Sequence, residues 1–294
     1  MGIISSLISG LSLGSVYAII ALGYTMVYGI SKMLNFAHGD IIMVGAYVSF
    51  IMSVHLGMNG WVALLIAMAV CTCLGVLIER LAYRPLRGTG SLAVLITAIG
   101  VSYFLQNMAL LIWGANPRIF TSLFKGMDPI HAVGGQLTVT PESIFTIAAN
   151  VVIMIVLTLF VNKTKAGKAM RAVSEDNGAA QLMGINVNQS ISLTFAIGSG
   201  LAAVAGVLMC SAYPVLIPTT GAMPGIKAFT AAVFGGIGSI PGAMIGGLIL
   251  GIIEIFSRAY ISTELSDAIV FTCLIIVLLV RPTGLLGKKM NEKV

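Results

Sequence analysis

The chain has 294 residues, 58% of them hydrophobic and only 9% charged, with a mean hydropathy of +1.03. A soluble domain carries roughly 25% charged residues, so this composition excludes one and identifies an integral membrane protein. The net charge of +6 would suggest nucleic acid as the partner of a soluble chain; here it reads as basic loops on one side of a bilayer, and no nucleic-acid partner is expected.

A membrane-crossing helix needs about 20 mainly apolar residues, and such windows recur from end to end. They predict one all-α polytopic membrane domain over residues 1–294 with about eight membrane segments, nine or ten if broken or re-entrant helices are counted. The first run, residues 3–29, is uncharged and carries Gly10 and Gly14 at the spacing that lets a second helix approach closely. It has no Lys or Arg before Lys32 and is too long for a secretory signal, so no cleavage is expected. The end of the chain offers no prenylation box.

Lys32, Asn35, His38 and Asp40 then cluster before a second apolar run reaching about Val54. Asn35 or Asp40 capping that helix is one reading; a polar break contributing to substrate passage is the other. The third span, residues 61–78, leads into Glu79, Arg80, Arg84 and Arg87, with Pro85 expected to stop the helix. A fourth span covers residues 92–113. The connection at 114–142 contains AVGGQLTVTPES, which predicts a turn or short hairpin.

The fifth span, 144–161, delivers the chain to the one long polar interruption, Asn162 to Asn188. It opens with Lys163, Lys165, Lys168 and Arg171, turns acidic at Glu175 and Asp176, and continues into Gly178, Ala179 and Ala180. One or two short helices are expected, turning at Asn177-Gly178, with Ala169, Met170, Val173, Ala180, Leu182 and Met183 as an apolar side suited to a partner's groove. A sixth span follows at 191–213. The apolar stretch 214–256 is too rich in Gly and Pro for one straight helix. It predicts either a pair of short helices turning near Gly235 to Gly242 or a re-entrant loop, helping to line a pathway. The last span is 268–280.

Placing Lys32, Arg80 to Arg87, Lys163 to Arg171 and the tail from Arg281 in the cytoplasm accounts for twelve of the sixteen basic residues. That puts the N-terminus outside and the C-terminus inside. Cys71, Cys73, Cys210 and Cys273 lie in apolar runs and read as buried packing, with no metal site or disulfide. Asp40, Glu254 and Lys227 sit near predicted helix ends, where interfacial charge is the plain reading and a pathway role the alternative. Catalytic motifs are missing, and so is a phosphate-binding loop; the chain is expected to be no enzyme, with any ATP bound by another chain.

Three stretches, LNFAHGDIIMVGAY (34–47), GKAMRAVSEDNGAAQLMGINV (167–187) with SLTFAIGSGLAAVAGVL (192–208), and GIKAFTAAVFGGIGSIPGAMIGGLILGIIE (225–254), resemble the permease subunits of bacterial ABC importers for branched-chain amino acids. The resemblance covers nearly the whole chain. It implies alternating access, driven through a cytoplasmic loop whose pattern Glu-Ala-Ala-x-x-x-Gly seats coupling helices in the ATPase. Ala179, Ala180 and Gly184 match that pattern; Gly178 stands where it has Glu, leaving Glu175 and Asp176 as the nearby carboxylates. Gly167, Lys168 and Arg171 complete the expected coupling surface. Asn35, His38, Asp40, Lys227, Gly235, Gly236 and Gly238 are the expected pathway residues. The implied partners are a second permease, two ATPases holding ATP and Mg, and a periplasmic binding protein delivering leucine, isoleucine or valine to the inner membrane. Relatives carrying urea or amides share much of the pattern, and an ion-coupled carrier is the alternative class.

Overall fold

The computed structural model describes residues 2–132 and 137–287. It is all-α apart from two small two-stranded pairings. In chain order the helices are α1 (Ile3–Ser31), α2 (His38–Phe50), α3 (Gly60–Ile78), α4 (Ser91–Trp113), α5 (Pro141–Lys163), α6 (Lys165–Glu175), α7 (Asn177–Leu182), α8 (Val187–Ala212), α9 (Ala222–Gly235), α10 (Ile240–Tyr260) and α11 (Ser266–Val280). The strands are β1 (Arg118–Ile119), β2 (Ile130–Ala132), β3 (Leu137–Val139) and β4 (Val215–Leu216). β1 pairs with β4 and β2 with β3, both antiparallel. The second pair is the hairpin expected from sequence, although residues 133–136 of its turn lie outside the described residues, as does the tail beyond Gly287.

Among the described residues, six helices are long and apolar enough to cross a membrane: α1, α3 with its extension to Leu86, α4, α5, α8 and α10. α9 has 14 residues; at 1.5 Å per residue it reaches about 21 Å, short of a hydrocarbon core of about 30 Å. The expected stop at Ile78 is corrected. Residues Glu79–Tyr83 continue α3 as a π-turn and Arg84–Leu86 as a 3₁₀ turn, with Pro85 in its first turn, where its missing N–H costs nothing. Pro224 and Pro241 likewise sit in the first turns of α9 and α10, so the broken stretch 214–256 resolves into β4 and a pair of helices.

α8 and α1 form the centre, with 83% and 61% of their apolar windows buried; α4 and α5, at 17% each, form the rim. Small residues decide this. A Cβ on Gly10 would stand 2.9 Å from Ile252 Cα and one on Gly14 2.8 Å from Leu248 Cα, while Gly247 meets Ala18 Cα at 2.5 Å. α1 and α10 therefore touch backbone to backbone, as the spacing of Gly10 and Gly14 anticipates. Of the cysteines, Cys71 and Cys210 are buried, but Cys73 is exposed and Cys273 half-buried, because α3 and α11 present those positions away from the bundle. Overfilling the closest crossing, as in Gly14→Leu, should destabilise the fold by about 1–3 kcal/mol or more, seen as a lowered thermal unfolding midpoint in detergent.

Candidate functional site

The polar island folds into a helical hairpin fixed at each joint by its own sequence. The Thr164 hydroxyl accepts from Gly167 N–H at 3.0 Å and caps α6. A side chain on Gly167 would collide with Phe160 O and Val161, so glycine there lets α6 fold back hard against α5. Arg171 donates to Asn162 Oδ1 at 3.1 Å across the same corner. The break between the helices falls at Asp176, one residue before the turn expected at Asn177-Gly178. Its carboxylate accepts from Gly178 and Ala179 N–H at 2.8 and 3.0 Å, capping α7 and favouring its positive end. Gly184, at φ 79°, closes α7: its N–H donates to Gln181 O and that of Ile185 to Ala180 O, the pairing of a Schellman cap. A Cβ at Gly178 would meet only Asp176 Oδ1, at 3.4 Å, so the glutamate of the related pattern would fit there.

The expected apolar side of this hairpin divides in two. Met170, Val173 and Ala180 are buried against the bundle, whereas Leu182 and Met183 are 90% and 81% exposed. Lys168, Glu175 and Ala179 are exposed as well.

A second feature lies inside the bundle. α2 runs beside α4, with Asp40 Oδ1 accepting from Gln106 Nε2 at 2.9 Å and Tyr47 stacked on Trp113 at 4.2 Å. α9 runs beside α1, from Gly225 near the Tyr24 hydroxyl to the turn where Gly238 approaches Gly29. Their first turns meet: a Cβ on Gly225 would stand 2.9 Å from Gly39 Cα, and one on Gly221 would overlap Gly39 O. Two helices thus start within the bundle and leave in opposite directions, placing two positive helix ends together.

Asn35, His38 and Asp40 gather there, each no more than 2% exposed. Asn35 Oδ1 accepts from the Tyr83 hydroxyl at 2.9 Å, while Asn35 Nδ2 and His38 Nε2 have no hydrogen-bond partner among the described residues. The His38 ring lies 4.6 Å from Tyr24 and fits because Gly23 has no side chain to displace it. Neither Asn35 nor Asp40 caps α2, which corrects that reading. The cap position is Ala37, without a side-chain bond, because the chain turns back through Asn35 O and Ala37 O to the first N–H groups.

Lys227 and Glu254 are also corrected: they are not interfacial charges but a buried pair. Lys227 Nζ lies 2.8 Å from Glu254 Oε1 and 2.6 Å from Asp267 Oδ1. Arg258 also donates to Glu254 Oε1, and the Tyr17 hydroxyl donates to Glu254 Oε2 at 2.9 Å. Two cations and two carboxylates balance, joining α1, α9, α10 and α11. Gly235, Gly236 and Gly238 stand apart from these groups in the α9–α10 turn. The C-terminal segment covers that turn through Leu285 N–H to Phe234 O and Leu286 N–H to Gly235 O.

Sequence reasoning missed Tyr17, Asp267, Gln106 and Tyr83, whose roles come from partners far along the chain. It also left Glu79 in a loop. Glu79 is fully buried, accepting from Ser192 at 2.6 Å and paired with Arg87, which also holds Asn188. Burial pulls the Arg87 guanidinium down from its ordinary value, and Glu79 opposes that shift.

Lys227→Met should cost about 3–5 kcal/mol by leaving Glu254 and Asp267 with Arg258 as the one remaining cation of the cluster. The double change Lys227→Met with Glu254→Gln should recover part of that loss. Thermal unfolding of the purified chain checks both.

Residues 6–278 match the family described as branched-chain amino acid transport system, permease component. The chain is 48% identical over 300 residues to the high-affinity branched-chain amino acid permease LivH of Escherichia coli K12, covering 99% of this chain and 97% of the relative. It is 45% identical over 304 residues to BraD of Pseudomonas aeruginosa, covering 99% and 98%. Among solved structures, PsaBC from Streptococcus pneumoniae, in complex with Fab, shares the fold at a TM-score of 0.50 and 14% identity, over 94% of this chain and 91% of that one. On the match over residues 6–278 and the near-complete coverage at almost half identity, the chain belongs to the family of permease components of branched-chain amino acid transport systems.

Proposed function

We propose that this chain is the membrane-spanning subunit of an ATP-driven importer that moves leucine, isoleucine or valine into the cytoplasm by alternating access. The substrate rests on the relatives LivH and BraD, both branched-chain amino acid permeases. The observation that carries the coupling role is the exposed pair Leu182 and Met183 at the tip of a hairpin capped at Asp176 and Gly184 and braced through Gly167. An apolar tip on a rigid helical knob suits a partner's groove, and we assign that groove to the ATPases, two of which would bind ATP and Mg. A second permease would complete the path, and a periplasmic binding protein would deliver substrate. The chain itself carries out no chemistry.

In this reading the basic end, with Lys32, Arg80 to Arg87 and Lys163 to Arg171, faces the cytoplasm. The N-terminus lies outside, and the membrane is the bacterial inner membrane. The path passes the junction of α2 and α9. Converging helix starts favour the carboxylate of an amino acid, and Asn35, His38 and Asp40 supply polar groups beside it. Lys227, one turn into α9, holds that start in place, and the glycine turn Gly235 to Gly238 lies at the cytoplasmic mouth.

Leucine uptake into reconstituted vesicles is expected to require the ATPase chains and hydrolysable ATP, and to be competed by isoleucine and valine but not by urea. Uptake driven by an ion gradient with this chain alone would show an ion-coupled carrier instead. Leu182→Asp with Met183→Asp should lower ATPase co-purification on the order of tenfold or more while leaving the unfolding midpoint unchanged.

A further inference from the structure

A cleft lies at the basic end between the extension of α3 and the start of α8. It encloses about 460 Å³ and is lined by Arg80, Arg84, Asn188, Gln189 and Ser192 among others. Arg87, which holds the lining residue Asn188, is already paired with Glu79. Among the described residues no carboxylate pairs with Arg80 or Arg84, and both are exposed. The cleft therefore holds two uncompensated guanidinium groups beside several amide and hydroxyl groups, a set suited to phosphate oxygens.

A second cleft of about 310 Å³ opens from the first, sharing Val76 and Arg80 and continuing along Thr72, Cys73 and Leu77. Thr72, Val76 and Arg80 follow at four-residue spacing down one face of the helix, and Arg84 joins Val76 and Arg80 in lining the first cleft. Cys73 and Leu77, beside them, are exposed. The charged cleft sits where the helix ends, and the apolar one runs back into a span long enough to cross the bilayer.

We propose that these joined clefts bind one anionic phospholipid from the leaflet at the basic end, its phosphate on Arg80 and Arg84 and an acyl chain along Thr72, Cys73, Val76 and Leu77. A free phosphate would use the first cleft and leave the second empty. A soluble protein would have no reach into a groove within the membrane-crossing part of α3. An amphiphile with a negative head fills both, and basic pockets between membrane helices attract such heads.

The test is native mass spectrometry of the full chain released from nanodiscs containing equal amounts of phosphatidylglycerol and phosphatidylcholine. Phosphatidylglycerol should be retained on the order of tenfold over phosphatidylcholine. Arg80→Gln with Arg84→Gln should abolish the preference, and Arg80→Lys with Arg84→Lys should restore most of it, which separates charge from folding. Cys73→Trp, which fills the apolar cleft and leaves both guanidinium groups in the sequence, should lower retention of the lipid, and millimolar glycerol 3-phosphate should fail to displace it. Equal retention by the wild type and the glutamine variant would overturn the proposal. So would displacement by glycerol 3-phosphate, which would mark a soluble-anion site, or full retention by Cys73→Trp. Loss of a co-purifying protein from the glutamine variant, with lipid retention unchanged, would assign the cleft to a protein partner and overturn it as well.

Discussion

Glu254 has no exposed surface, and withdrawing a carboxylate from water costs several kcal/mol unless its partners are well placed. Lys227, Arg258 and Tyr17 meet it from two other helices and from its own, and Asp267 brings in a fourth. Only one relative placement of α1, α9, α10 and α11 satisfies all of these groups. The glycine crossing of α1 and α10 sets how close the helices come, and the charge cluster sets where along their length they stop. Packing of small residues alone would leave that sliding position weakly defined, since a stripe of glycines fits nearly as well one turn away.

The same anchoring makes the interior junction possible. Irregular backbone at membrane depth survives only where protein or water shields it, and residues 35–40 and 216–218 are largely buried. α9 can begin inside the bundle because Lys227, one turn in, is tied to α10 and α11. α2 can begin there because Asn35 and Asp40 find Tyr83 and Gln106. Both starts rest on glycines, Gly39, Gly221 and Gly225, whose missing side chains let main chain meet main chain. Asn35 Nδ2 and His38 Nε2, buried at this junction, have no hydrogen-bond partner among the described residues.

Membrane class, most span positions, the short hairpin and the helical character of the polar island were legible in the sequence because each depends on local composition or spacing. The Glu254 cluster was not: Tyr17 lies 237 residues from Glu254 and Lys227 lies 27 away, so each charge read alone resembles an interfacial one. The capping of α2 was misread because Asn35 and Asp40 have the right chemistry for a cap, yet tertiary partners on α3's extension and α4 claim their side chains. Asp176 shows the converse. In the sequence it stands only as one of two carboxylates near Gly178, and its capping role emerges only once the chain is seen to break there. Leu182 and Met183 were seen as apolar, but which apolar residues of the hairpin the chain keeps for itself required knowing that α6 folds back on α5.

That fold-back turns the hairpin into a stiff crank. Gly167 seats α6 on the last turn of α5 with no slack for a hinge, Arg171 and Asn162 brace the corner, and Met170 and Val173 are sunk into the bundle. A push on the exposed tip has no flexible linker in which to dissipate. It must appear as tilt or rotation of α5, a rim helix with few buried residues to resist it, and through α5 as a changed fit against α1.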